Sequence, residues 1–144
     1  HRRAGARPMS VRAKFLAEVR KTLGTPYQHR GRLAGVALDC VGVPIVAMAS
    51  VGIVVPEPPP YGTMPPPMVE QLLPFFNRVE TAEPGDLAAI LWHGEPRHCA
   101  IVSGHTENGV PIIIHALARI GRVAEHTISR AYRVHSFWRL KEPT

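Results

Sequence analysis

The segment Asp39-Cys40-Val41-Gly42-Val43-Pro44-Ile45-Val46-Ala47-Met48-Ala49-Ser50-Val51-Gly52 carries no charge after its first residue and is apolar almost all the way round. Such a stretch has no face to give to water, so it belongs at the centre of a core and the rest of the chain must be arranged around it. It is read as a buried central helix. Asp39 can cap that helix, Pro44 is tolerable only because it lies near the first turn, and Gly52 ends it. The β-branched residues of the segment also suit a strand. No run approaches the roughly 18 to 20 apolar residues of a membrane-spanning helix, and no apolar stretch follows the basic residues at the N-terminus. Neither membrane insertion nor a signal peptide is expected.

The flanking sequence sets out what packs on this centre. Ser10 is a good N-cap, Val11, Phe15, Val19 and Leu23 recur at helical spacing, and Gly24 supplies a stop, which predicts a helix over 11–23 with Arg12, Lys14, Arg20 and Lys21 on its outer face. Thr25 to Ala37 shows no periodicity and reads as an irregular connection. Val54 to Pro67 is Pro-rich around Tyr61-Gly62 and reads as a surface loop, a stiff connector in preference to a polyproline ligand. Met68 to Phe76 predicts a short helix ending near Pro74. From Asp86 onward the texture is that of strands: 86–92, 98–103, 110–115, 121–125 and 133–140, with Gly94 to Arg97 as a turn and Asn108-Gly109 as a hairpin signal. Helices followed by a meander of strands predict an α+β domain with an antiparallel sheet packed on the central helix.

Charge is a weaker guide. The 144 residues hold 17 Lys and Arg against 11 Asp and Glu, a net +6 that would suit an anionic partner. Three of those cations are Arg2, Arg3 and Arg7, in a segment without an acid. Residues 1–8 are therefore read as a flexible leader or cloning remnant, and residues 9–144, at +3, as a single domain. Nine scattered aromatic residues and no recognition motif argue against nucleic-acid binding.

The candidate chemistry centres on Cys40. Unpaired N–H groups and the dipole at a helix start favour a thiolate, which is how a cysteine becomes a nucleophile; a buried apolar thiol is the plainer reading. Of eight histidines, His98 stands out because it opens an apolar strand that would pack on the central helix. Alternation then turns Cys99 to the opposite face, so that the neighbouring pair should not enter one site and Cys99 should serve packing. A base is commonly oriented by a third group, and Asp39, Asp86, Asn77 and Asn108 are all poorly placed for it. His115 is better placed, since its strand pairs with that of His98 through the Asn108-Gly109 turn. Cys40, His98, Cys99 and His115 lack the close paired spacings of a zinc site, and neither a metal nor a cofactor is expected.

Leu23-Gly24-Thr25-Pro26-Tyr27, Asp39-Cys40-Val41-Gly42-Val43, Pro84-Gly85-Asp86-Leu87, His98-Cys99-Ala100-Ile101-Val102 and Ile114-His115-Ala116 occur in the order seen in NlpC-like cell-wall cysteine peptidases, and the chain resembles that superfamily from about Met9 to Leu140. The resemblance implies a papain-like α+β fold with Cys40 as nucleophile, His98 as base and His115 as orienting residue. It implies that Tyr27 lines the site and helps hold the oxyanion, and that Asp39 helps receive a substrate amine. It further implies a peptidoglycan endopeptidase acting on the D-γ-glutamyl to diamino-acid bond of stem peptides. With its Pro-rich insertion the chain looks most like the subgroup carried in phage tails and gene transfer agents. Its partners would then be stem peptides and other tail proteins, and it would act in the bacterial cell wall after synthesis in the cytoplasm. The alternative is a structural tail component that keeps the fold with little turnover. The chain departs from the common pattern at Val41, where many members have Ser, and at Gln28-His29-Arg30-Gly31, where they have a Gly-Gly stretch.

Overall fold

A computed structural model describes residues 9–62 and 69–142. The expected leader (1–8), the end of the Pro-rich stretch (63–67) and Met68 lie outside the described residues. Helix α1 runs Val11–Lys21, and the Ser10 hydroxyl accepts a hydrogen bond from the Ala13 N–H as the sequence predicts. Phe15 and Val19 are wholly buried, whereas Leu23, expected on the same stripe, lies beyond the helix and is exposed. Thr22 ends α1 early: its hydroxyl donates to the Val19 carbonyl at 2.6 Å. Gly24, at φ +85°, then turns the chain so that its N–H meets the Val123 carbonyl.

The stretch expected to be irregular holds a two-stranded ribbon, β1 (Arg32–Leu33) and β2 (Ala37–Leu38), paired antiparallel. Two residues per strand are too few for alternation to show in the sequence. The central segment is a helix, α2, over Gly42–Ser50, and Gly42, Val43, Pro44, Ile45, Ala47 and Met48 are buried in it. It begins two residues later than expected because Cys40 and Val41 form a turn before it. Pro44, the third helical residue, falls where no intrahelical N–H bond is required. Gly42 is needed here: a Cβ would stand 2.3 Å from the Gly31 carbonyl oxygen, so the ribbon and the helix start touch backbone to backbone.

Residues 53–62 hold neither helix nor strand, and the next described elements are a one-turn helix, α3 (Val69–Leu72), and a 3-10 turn (Leu73–Phe75). Six strands follow: β3 (Phe76–Val79), β4 (Leu87–Trp92), β5 (Glu95–His105), β6 (Pro111–Leu117), β7 (Arg122–Thr127) and β8 (Val134–Leu140). They form one antiparallel sheet in the order β3-β8-β4-β5-β6-β7. Phe76 opens β3, where the sequence reading ended a helix; its partner is Leu140, so the pairing depends on residues far along the chain. The turn expected over Gly94–Arg97 is shorter: His93 (φ 51°) and Gly94 (φ 77°) make a two-residue hairpin of the kind with both central residues left-handed, and Glu95–Arg97 already belong to β5.

The fold is thus α+β, with α1 and α2 packed on one face of the sheet. Phe15, Val19, Val43, Met48, Leu87, Ala89, Cys99, Ile101, Ile114, Ala116 and Val123 share the core between helices and sheet. Each large side chain buried there contributes about 1.5–3 kcal/mol. A second cluster of Ala88, Ile90, Ala100, Val102 and Ile113 lies on the other face, covered by Ile128, Tyr132, Val134 and Phe137.

Candidate active site

Cys40 sits where the ribbon passes into α2, at the wall of a cleft of about 390 Å³ that is also lined by Tyr27, Asp39, Tyr61, Trp92 and His98. Two segments form this side of the cleft. Tyr27 is held by its N–H on the Gly121 carbonyl, while Leu38 donates to Pro26 and Gln28 to Leu38, so β2 delivers Asp39 and Cys40 beside it. His98 enters from the start of β5, opposite Ile90, where the β4–β5 register slips between Ile90 and Trp92. Slips of this kind add local twist and re-aim side chains.

The thiol of Cys40 is acidified to about 5. The largest cause is a hydrogen bond from Cys99. Burial acts against it, and a hydrogen bond with His98 together with the charge of that ring acts for it. The Cys99 thiol is pushed upward by its hydrogen bond to Cys40 and by burial, so it stays protonated, and it also lies 3.2 Å from the Cys40 carbonyl as a donor. This corrects the sequence reading of Cys99 on both counts. Cys99 shares the helix-facing core with Ile101, and His98, in phase with Ala100 and Val102, belongs to the opposite face. Both nevertheless reach Cys40, because the nucleophile lies ahead of the helix and not over the middle of the sheet.

Behind His98 runs a chain of imidazoles. His98 Nε2 is 2.7 Å from His115 Nδ1, His115 Nε2 is 2.7 Å from His126 Nε2, and His126 Nδ1 is 3.0 Å from the Thr127 carbonyl. The three rings lie diagonally across β5, β6 and β7 on the face away from α2, with Tyr132 edge-on to His115 at 5.5 Å. His115 is almost wholly buried. Burial, followed by the charges of His98 and His126, lowers its pKa to about 3, so it is neutral near pH 7. Sequence reasoning brought His98 and His115 together but passed over His126; its place at even spacing from Ala124 on a strand paired with that of His115 is the only local signal.

Asp39 is 2% exposed and its carboxylate is fully engaged. Oδ1 accepts from the Gly42 N–H and from Arg32 Nη1, both at 2.7 Å; Oδ2 accepts from the Arg30 N–H at 3.0 Å and from the Tyr61 hydroxyl. Arg30 reaches it only in a left-handed conformation, φ 61°. Asp39 accepts from the first N–H of α2 as a cap would, although the N-cap position itself falls to Val41; the expected reception of an amine would require an acceptor position that the carboxylate does not have free. Tyr61 also accepts from Arg32 Nη2 at 3.0 Å, and its carbonyl is 2.8 Å from His29 Nε2. The Pro-rich segment, read as a connector, therefore supplies a wall of the cleft. Arg32, Tyr61 and His29 were missed because neither spacing nor composition ties them to Cys40.

Burial, then the negative charges of Cys40 and Asp39, raise the pKa of the Tyr27 hydroxyl, which stays a hydrogen-bond donor. Among the described residues no group of three or more His, Cys, Asp or Glu side chains converges to hold a metal ion. The cleft thus presents an acidified thiol, an imidazole in contact with it, and a phenol, the parts needed for nucleophilic attack on a carbonyl.

Comparison with solved structures gives matches over most of the described chain. The peptidoglycan hydrolase RipB from Mycobacterium tuberculosis superposes with a TM-score of 0.64 at 19% identity, over 90% of this chain and 63% of that one. The P60 domain of an antigen from M. avium subspecies paratuberculosis gives 0.63 at 17%, over 90% and 93%. A lipoprotein-like protein of the NLP/P60 family from Staphylococcus aureus gives 0.66 at 17%, over 96% and 45%. The fold is that of NlpC/P60 proteins. The chain spans less than two thirds of RipB, less than half of the staphylococcal protein and nearly all of the isolated P60 domain. No family model and no curated protein matches the sequence. Within the NlpC/P60 fold, Val41, the departure beside Cys40, is 2% exposed and packs into the core under α2.

Proposed function

We propose that the protein is a peptidoglycan hydrolase, a cysteine endopeptidase that cleaves amide bonds in cell-wall stem peptides. The observation that carries this reading is the Cys40 thiol acidified beside His98 at an open cleft. In the proposed reaction the Cys40 thiolate attacks the scissile carbonyl and forms a tetrahedral oxyanion, while His98 holds the thiol proton. Gly42 and Val43 already direct their N–H groups to Asp39, so the oxyanion is assigned to the Tyr27 hydroxyl and the N–H of Cys40 itself. His98 passes its proton to the leaving amine, leaving a thioester; it then takes a proton from water as that water attacks, and the acid product departs with the free thiol restored.

The finer assignment is the D-γ-glutamyl to diamino-acid bond, with the protein carried by a phage-tail-like particle for penetration of the wall. It is supported by the resemblance of the sequence motifs and of the Pro-rich insertion to that subgroup. The test is digestion of purified sacculi, with mass spectrometry of the released fragments. Wild type is expected to solubilise them and Cys40→Ala to lose at least about a thousandfold in rate, as removal of a covalent nucleophile does. Digestion by Cys40→Ala would sink the mechanism; fragments cut at another amide would overturn the bond assignment alone.

A further inference from the structure

The mechanism above uses His98 and gives no role to the two imidazoles behind it, although His126 closes the hydrogen-bonded chain that runs from His98 through His115. The chain has a direction that follows from its last member. A carbonyl oxygen can only accept, so the contact of His126 Nδ1 with Thr127 places a proton on Nδ1. A neutral His126 then offers a lone pair at Nε2, which requires the proton of His115 on its Nε2 at the 2.7 Å contact. A neutral His115 in turn accepts at Nδ1, which requires a proton on His98 Nε2. The nitrogen of His98 left over is Nδ1, and it is free to exchange a proton with the thiol.

We infer that His126 is a positioning residue for the Cys40–His98 pair: anchored on the Thr127 carbonyl, it sets the tautomers of three rings so that His98 presents Nδ1 to Cys40. This rests on the reading of Cys40 as nucleophile and His98 as base. The two end rings are arranged for it. His98 is almost buried and cannot choose its tautomer by contact with water alone, whereas His126 is half-buried on the edge strand β7 and tied to its own backbone. The ionisable groups facing His126 are His115 from β6 and Tyr132 from the segment before β8, whose ring centroid is 5.9 Å away. Glu125, next to it on β7, pairs with Arg20 of α1. His115 alone could not fix the direction, since an isolated imidazole satisfies His98 in either tautomer. A protein-supplied acceptor beyond it removes that freedom, as outer partners do for metal-bound histidines.

The experiment reads the tautomer first and reactivity second. In Cys40→Ala protein, where no thiolate holds an imidazolium, nitrogen-15 NMR of His98 in mildly alkaline solution is expected to show the proton on Nε2. In the Cys40→Ala/His126→Phe protein the same ring should shift to a mixture or to the Nδ1 form. With Cys40 intact, His126→Phe should slow iodoacetamide alkylation of Cys40 near neutral pH by about tenfold, the usual scale for loss of an outer partner. His126→Gln, whose amide oxygen can accept from His115 while its NH₂ donates to Thr127, should recover most of the rate. A proton on Nδ1 of His98 in Cys40→Ala protein, an unchanged tautomer in the Phe variant, or Gln proving as damaging as Phe at equal thermal stability would each overturn the inference. The tautomer measurement needs no turnover, so it decides the relay even if Cys40 proves inert, an outcome that would sink the proposed function instead.

Discussion

His115 is a residue whose ionisation folding alters strongly, and stability can report the change. Its pKa is about 3 in the folded protein, through burial and the charges of two flanking imidazoles, against about 6.5 for a free side chain. Between those values the unfolded chain binds a proton at this position and the folded chain does not. Stability therefore falls as pH drops from about 6.5 towards 3, with a slope of at most about 1.4 kcal/mol per pH unit from this group. Urea denaturation at near-neutral and at mildly acidic pH should show that fall in wild type and a shallower one in His115→Gln. An equal fall in both would mean that His115 is protonated without penalty. The Cys40 pKa is lowered as well, but there folding favours the charged form. The reactivity of the thiolate therefore persists through neutral pH and fades only as pH falls through about 5.

At the scale of elements, the notable join is between the β1–β2 ribbon, the start of α2 and the segment that carries Tyr61. Asp39 binds all three, by accepting from Arg30 and Arg32, from Gly42 and from Tyr61. The partners are unequal. Tyr61→Phe removes one hydroxyl and should cost about 1 kcal/mol, since Arg32 keeps Asp39 and Glu57. Asp39→Ala leaves a largely buried guanidinium and a helix start without their acceptor and should cost about 3 kcal/mol or more. Urea midpoints for the two variants check the order, and equal losses would show that the carboxylate is not the centre of the join. Sequence reading saw the cap but not the rest, because a Pro-rich segment looks the same whether it crosses open surface or a cleft. What it recovered well at this scale were elements defined by local pattern: α1 by its four-residue stripe, α2 by its lack of a polar face, and β5 to β6 by Asn108-Gly109, where Gly109 is at φ 79°.

For the whole molecule, six of the cations among the described residues stand in ion pairs. Arg12 and Arg139 meet Glu83 and Asp86, Arg20 meets Glu125, Lys21 meets Glu18, Arg32 meets Asp39 and Glu57, and Arg97 meets Glu95. Binding to duplex or single-stranded DNA should therefore be negligible at physiological salt in a mobility-shift assay; retention with a steep salt dependence would reverse that expectation. The α+β architecture was legible in the sequence because burial and alternation are properties of short windows, and a helix without a polar face has one place to go. The candidates Cys40, His98 and His115 were legible because a helix start and a hairpin are local signals too. Strand β3, the side of the sheet that His98 occupies, the approach of Cys99, and the contributions of His126, Arg32 and Tyr61 were decided only by tertiary structure. Each depends on pairing between residues far apart in the chain, where a one-residue change of phase moves a side chain to the other face, and no short window records that phase.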